Sequence, residues 1–277
     1  MSEPLPSGLH IVATPIGNLG DLSPRAADTL ARADLILAED TRVTGKLLAH
    51  IGVKVPMRRY DDHASESERD HILAALADKA IVMVSDAGTP LISDPGYKLV
   101  RAARAAGLAV HQVPGPCAAI AGLVVAGLPT DRFLFVGFLP AKVKARKDAI
   151  AEIADVRATL IFYESGPRLA DTLAALLLGL GDRAAAVARE LTKLHEECVT
   201  GTLGNLSRRY DAAPPKGEIV VVVGPPLESE AVGDDVLDAM LDRALARMSP
   251  SRAAAEVAEQ LGIPRKRVYA RALDRSK

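Results

Sequence analysis

Short apolar runs recur along the chain, and each gives way to a loop rich in Gly, Pro or charge. Leu9-His10-Ile11-Val12-Ala13, Asp34-Leu35-Ile36-Leu37-Ala38, Ala80-Ile81-Val82-Met83-Val84 and Ala109-Val110-His111-Gln112-Val113 are four such runs in the first half. Runs this short, bounded by turn residues, predict buried strands. Between them the apolar positions take helical spacing, as in Lys98-Leu99-Val100-Arg101-Ala102-Ala103-Arg104. Ser23 followed by Pro24 marks a helix start, because Ser caps well and Pro suits the first helical position. Strands alternating with helices predict an α/β fold.

The longest of the loops, from Val84 to Tyr97, carries Ser85-Asp86-Ala87-Gly88-Thr89-Pro90 and Ser93-Asp94-Pro95-Gly96. It sits at the carboxyl end of a strand, where ligands of open α/β sheets bind. Gly88 allows close backbone approach, while Pro90 and Pro95 stiffen the loop. The plainer alternative is a strand-to-helix crossover made of good turn residues. Thr14-Pro15-Ile16-Gly17-Asn18 follows the first strand, and Pro114-Gly115-Pro116-Cys117-Ala118-Ala119 follows the fourth and opens an Ala-rich helix. Three Gly/Pro loops can therefore face one cleft.

Gly127-Leu128-Pro129 reads as a boundary, after which Arg132–Val136, Thr159–Tyr163, Ala184–Arg189 and Ile219–Val223 predict a second α/β domain with a mixed sheet. Gly179-Leu180-Gly181 is read as a helix stop. An acidic linker from Pro225 to Asp235 precedes short helices. Ala253–Leu261, the turn Gly262-Ile263-Pro264 and Arg265–Leu273 outline a helix-turn-helix. The expected domains are 1–127, 128–226 and 236–277.

Composition narrows the partners. The 277 residues carry a formal net charge of -1, so no global field draws a polyanion. Nucleic-acid contact would need local cations. Lys142, Lys144, Arg146 and Lys147 form one cluster, and Arg265, Lys266 and Arg267 form another. From Ser249 onward, Arg252, Arg265, Lys266, Arg267, Arg271, Arg275 and Lys277 outnumber Glu256, Glu259 and Asp274. The two cysteines have no metal-site spacing and fit a reducing cytosol. No signal peptide or membrane span is expected, so the chain reads as cytoplasmic.

Candidate chemistry gathers at the strand ends. Glu39-Asp40-Thr41-Arg42 is either a proton-handling group or an ordinary ion pair. Asp61-Asp62-His63 is not expected to hold a metal, because adjacent side chains rarely converge on one ion. Cys117, with no basic neighbour in sequence, reads as a packing residue. The first strand is followed by no G-x-G-x-x-G, and Walker A and G-x-S-x-G motifs are absent, which disfavours the common dinucleotide, P-loop and hydrolase chemistries.

Thr14-Pro15-Ile16-Gly17-Asn18, Glu39-Asp40-Thr41-Arg42, Ser85–Pro90, Ser93–Tyr97, Pro114–Ala119, Phe138-Leu139-Pro140, Phe162-Tyr163-Glu164-Ser165 and Lys216-Gly217-Glu218 stand in order. Together they resemble the tetrapyrrole methylase family, in its branch of bacterial small-subunit ribosomal RNA ribose methyltransferases. The resemblance runs from about Leu9 to Val223 and extends to the helix-turn-helix tail. It implies two α/β domains of the class III methyltransferase type, S-adenosyl-L-methionine in the cleft between them, and a homodimer. It further implies methylation of the ribose 2′-hydroxyl of a decoding-centre cytidine in 16S ribosomal RNA, within the 30S subunit. Carried onto this chain, the cofactor site falls on Pro15, Ala87, Gly88, Thr89, Ile92, Cys117 and Ala118, then Tyr163, Glu164, Leu191 and Glu218. Thr89 stands where tetrapyrrole enzymes usually have Asp. Ala64 and Ser65 follow His63, where the ribosomal enzymes usually have Asn and an acid.

A ribose hydroxyl attacks only as its proton leaves, so a carboxylate near the methyl group would help. Asp40 is the first candidate for that role and Glu164 the second. Two alternatives stay open on sequence: a relative acting on a tetrapyrrole or diphthamide precursor, and a DNA-binding regulator that senses S-adenosylmethionine without catalysis.

Overall fold

A computed structural model describes residues 4–61, 64–213, 215–226, 234–261 and 265–275. The chain divides into two compact units, Met1–Pro225 and Pro226–Lys277. In the first unit, β1 (Gly8–Val12), β2 (Leu35–Ala38), β3 (Met57–Arg59), β4 (Ala80–Val84) and β5 (Val110–Val113) form one sheet in the order β3-β2-β4-β1-β5. All four pairings are parallel, with Leu9 opposite both Ile81 and Val110. The crossovers are α1 (Pro24–Ala31), α2 (Thr41–His50), α3 (Glu66–Ala75) and α4 (Tyr97–Ala105). β1 and β4 are buried along their whole length. That is why they read as continuous apolar runs, as strands covered on both faces do. The Ser23 hydroxyl accepts the Ala26 N–H, capping α1 as the sequence predicts. β3 has no such signal: Met57, Arg58 and Arg59 are all exposed, and only pairing with β2 makes them a strand.

The second sheet contains β6 (Phe133–Phe138), β7 (Thr159–Ser165), β8 (Ala184–Arg189), β9 (Glu197–Thr202) and β10 (Glu218–Val223), ordered β6-β7-β10-β8-β9. β6 and β7 are parallel and the other pairs antiparallel, so the sheet is mixed, as expected. α6 (Val143–Glu152), α7 (Leu169–Leu180) and α8 (Leu203–Ala212) belong to this half, and Gly181 ends α7 with φ 79°. The link between the halves is α5 (Ala118–Val125). Its Ala119 and Leu123 pack with Ile161, Ala188, Val220 and Val222 of the second sheet, and Ile16 joins the same cluster from the loop after β1. A shared core therefore holds the loops of the first sheet against the strands of the second.

Among the described residues the second unit is three helices, α9 (Asp234–Leu245), α10 (Pro250–Leu261) and α11 (Arg265–Arg275), around Leu237, Leu241, Val257, Val268 and Ala272. Charge in this unit is more balanced than the tail alone suggests. Arg271 makes a bidentate pair with Asp238 at 2.8 and 2.8 Å, and Arg275 reaches Asp238 and Asp242 at 2.9 and 2.5 Å. These two cations are ligands of α9 carboxylates and are not free for a polyanion. The turn Gly262-Ile263-Pro264 lies outside the described residues. Among the described residues no helix is long and apolar enough to cross a membrane.

Candidate active site

A cleft of ≈ 340 Å³ opens in the first unit at the carboxyl ends of β1 and β4, a size typical of small-molecule sites. The expected cofactor residues Ala87, Gly88, Thr89, Ile92, Cys117, Ala118, Tyr163, Glu164, Leu191 and Glu218 all line it. Pro15 does not, and its neighbour Ile16 lines the cleft instead. Backbone hydrogen bonds hold the loops in place. Thr14 and Gly88 bridge the loops after β1 and β4, and the Thr89 hydroxyl donates to Pro116 O at 2.9 Å. Gly88 has φ +81°, and an added Cβ would come within 3.1 Å of Ile16 Cγ2.

The opposite wall comes from the second half. The Tyr163 hydroxyl accepts the Ala119 N–H at 3.1 Å, tying β7 to the first turn of α5. Burial, with Cys117 nearby, pushes the Tyr163 phenol well above its usual range. Glu164 is buried, and both its oxygens are occupied: Oε2 by the Thr172 hydroxyl at 2.6 Å, Oε1 by the Ser165 N–H at 2.8 Å. Lys193 spans the loop after β8 and the start of β10, meeting Glu190 at 3.1 Å and Glu218 at 2.9 Å. Among the described residues, four other than glycine hold positive φ, namely Leu91, Ser93, Glu190 and Thr192. They fall in two loops that line the cleft, where strained backbone is often concentrated at functional sites.

Three carboxylates crowd the mouth. Glu39, Asp86 and Asp94 come from the loops after β2 and β4. Desolvation, then the negative charge of Asp86, raises the Glu39 carboxyl. Burial pushes Asp94 up to about 6, with Glu39 and Asp86 adding to the shift and a hydrogen bond from Ser85 opposing it. Asp94 and Glu39 were legible as acids in loops, but their convergence was not. Asp40, the first candidate base, does not line the cleft. Its carboxylate caps α2 at the Arg42 N–H (2.8 Å) and accepts the Arg42 guanidinium at 3.0, 3.1 and 2.5 Å. Those bonds hold it well below the usual carboxylate range.

The basic segment is also rearranged by folding. Lys142, Lys144 and Lys147 are exposed, but Arg146 is 7% exposed. It lies four residues before buried Ile150, on the inward stripe of α6, so it leaves the proposed surface cluster. Arg265 is exposed and reaches Ser251. The side chains of Lys266 and Arg267 lie outside the described residues, as do Asp62 and His63.

Residues 8–207 match the model of the tetrapyrrole (corrin/porphyrin) methylases, and residues 230–276 match that of the RsmI C-terminal HTH domain. The chain belongs to the tetrapyrrole methylase family. It is an S-adenosylmethionine-dependent methyltransferase. Among curated relatives, a ribosomal RNA small subunit methyltransferase I of Erythrobacter litoralis is 57% identical over 99% of this chain and 97% of its own. One of Escherichia coli O157:H7 is 45% identical over 96% and 94%. Of solved structures, diphthine synthase matches with a TM-score of 0.61 at 14% identity, covering 78% of this chain and 89% of its own. Uroporphyrin-III C-methyltransferase from Thermus thermophilus, complexed with S-adenyl homocysteine, matches with 0.54 at 20%, covering 78% and 97%. At such identity these two establish the shared fold.

The cleft fits the donor's chemistry. S-adenosylmethionine carries a sulfonium cation, and among the charged residues of the lining Glu39, Asp86, Asp94, Glu164 and Glu218 outnumber the cation Lys193. Tyr163 adds aromatic surface, which attracts cations. Gly88 and Ala87 leave the backbone bare for close approach.

Proposed function

We propose that this methyltransferase transfers a methyl group to the ribose 2′-hydroxyl of a cytidine in 16S ribosomal RNA, at the decoding centre of the 30S subunit. The observation that carries the proposal is the 57% match to a ribosomal RNA small subunit methyltransferase I over 99% of this chain, helical unit included. A small tetrapyrrole or diphthamide precursor would occupy the cleft but leave Lys142, Lys144, Lys147 and the helical unit without a use. RNA supplies that use, since cations on phosphates position a protein without reading sequence.

When bound, S-adenosylmethionine supplies a methyl group made electrophilic by its sulfonium. The proposed donor surface is the backbone of Ala87, Gly88 and Thr89 with Ile92, Cys117, Ala118, Tyr163, Leu191 and Glu218, and Pro15 acts through Ile16. Glu164, with both oxygens engaged, braces β7 beneath that surface. Holding the hydroxyl in line with the carbon–sulfur bond is the main contribution the chain can make. Asp94 is the proposed proton acceptor, because it lines the cleft and its carboxyl titrates near 6, close to working pH. Asp40, bound to Arg42, keeps the start of α2 in place.

We extend the proposal to a homodimer working in the cytoplasm. Ile120 and Val124, one turn apart on α5, are 44% and 71% exposed and leave an apolar stripe for a second copy. The test is transfer of labelled methyl to 30S subunits, with tetrapyrrole and operator-like DNA as controls. Label recovered as 2′-O-methylcytidine supports the proposal. Label on a base, on either control, or on nothing would end it.

A further inference from the structure

Phe138 is left largely open to solvent beside the cleft. It is the last residue of β6, lines the cleft, and is 56% exposed, in a chain with only four Phe, five Tyr and no Trp. Large aromatic side chains left in water forgo burial that would stabilise the fold. A specific local irregularity creates this exposure. Along β6 the register with β7 shifts between Phe135, opposite Ile161, and Gly137, opposite Phe162. Bulges of this kind re-aim side chains and are common beside active sites.

The consequence is visible in the rings. Residues three apart on a regular strand point to opposite faces. Here Phe135 and Phe138 both meet Tyr163 edge-on, with centroids 4.9 and 5.6 Å apart and interplanar angles of 68° and 63°. Gly137 makes the bulge possible: its φ is +75°, and a Cβ there would come within 2.9 Å of the Ser93 hydroxyl. Ser93 belongs to the same loop as Asp94, so the bulge brings Phe138 to the wall facing the acidic mouth of the cleft.

We propose that Phe138, backed by Tyr163, is a stacking platform for the pyrimidine base of an unstacked RNA nucleotide. The inference rests on the ribosomal RNA reading above. Proteins that recognise splayed-out RNA bases stack them on aromatic faces. A ring braced by Tyr163 and open to solvent over the remainder offers such a face. Stacking there would hold the ribose of the same nucleotide over the cleft, next to Asp94. Phe138 is thus a positioning residue for substrate, separate from the donor surface.

Two measurements test this. First, steady-state methylation of 30S subunits is compared for wild type, Phe138→Ala, Phe138→Leu and Phe138→Tyr, with donor affinity measured by calorimetry without RNA. Phe138→Ala should lower kcat/KM by about 5- to 150-fold, the usual range for one stacked base. Donor affinity should be unchanged, and Phe138→Tyr but not Phe138→Leu should restore the rate. Loss of donor affinity in Phe138→Ala, or full rescue by Leu, would overturn the proposal, since either makes Phe138 an apolar wall. Second, the chain has no Trp, so Phe138→Trp provides a sole tryptophan reporter. Quenching by a short cytidine-rich single-stranded RNA is expected, and absence of quenching at saturating RNA overturns stacking. Quenching without methyl transfer by the wild type would instead refute the ribosomal RNA reading and leave the platform standing.

Discussion

Thr14 and Gly88 exchange both backbone hydrogen bonds, N to O at 2.8 Å and O to N at 3.1 Å. The pair clamps the loop after β1 to the loop after β4, and Gly88 does so with φ +81°. A β-branched residue there meets two obstacles: left-handed backbone, which costs about 1–2 kcal/mol, and contact with Ile16. Gly88→Val is expected to lower Tm and abolish donor binding, whereas Gly88→Ala, with the smaller side chain, should retain measurable affinity. Calorimetry on the two folded variants decides it, and unchanged affinity in Gly88→Val would remove this loop from the donor site.

Asp94 and Asp40 separate the proton acceptor from the scaffold. Asp94→Asn is expected to slow transfer by about 10²–10⁴-fold with donor affinity nearly intact. Asp40→Asn keeps a capping acceptor and should stay within a few-fold of wild type. The wild-type rate should rise with pH through about 6 and then level, following the Asp94 carboxyl. Because folding raises this carboxyl above its ordinary value of 3.8, ionised Asp94 opposes folding. Its cost appears as pH rises from that value through about 6 and is constant above it. Asp94→Asn should therefore raise Tm at neutral pH. The reverse pattern, a slow Asp40→Asn and a fast Asp94→Asn, would return the role to Asp40.

A second pH dependence lies within the first sheet. His10 and His111, opposite each other on β1 and β5, stack with centroids 4.6 Å apart. His10 is buried, and desolvation, with the neighbouring His111, lowers its pKa against the opposing hydrogen bond to Pro6 O. A His with a depressed folded pKa contributes stability above its ordinary value of 6.5 that is lost as pH falls below it. Thermal melts of wild type should steepen in their pH dependence below about 6.5. His10→Gln, which can still donate to Pro6, should flatten that dependence. Parallel curves would show that His10 does not titrate.

In the helical unit, two groups of cations should behave differently. Arg271→Ala removes a bidentate partner of Asp238 and should destabilise the unit without altering the salt dependence of 30S binding. Replacing Arg265, Lys266 and Arg267 together by Gln should leave stability unchanged, weaken 30S binding and flatten its salt slope, because fewer counterions are released. Truncation at residue 241 would confound the two, since it cuts α9 at Leu241, which is fully buried. Equal affinity and equal slopes for the triple variant would remove these cations from the RNA surface.

The sequence by itself determined the elements whose signals are local. β1 and β4 are covered on both faces and read as apolar runs, Ser23 and Pro24 announce α1, and Gly181 ends α7. Loop composition likewise pointed to the cleft, because a backbone-lined site needs Gly, Ala and Pro wherever the chain folds. Contacts between distant segments were decided only by the tertiary structure. β3 is a strand because β2 pairs with it, and Arg146 is buried because α6 turns it toward the core with Ile150. Asp40 caps a helix that has to be in place first. Asp94 becomes a weaker acid because folding desolvates it beside Glu39 and Asp86. Phe138 faces the cleft through one extra residue in β6, and a bulge depends on its partner strand, which no local pattern records.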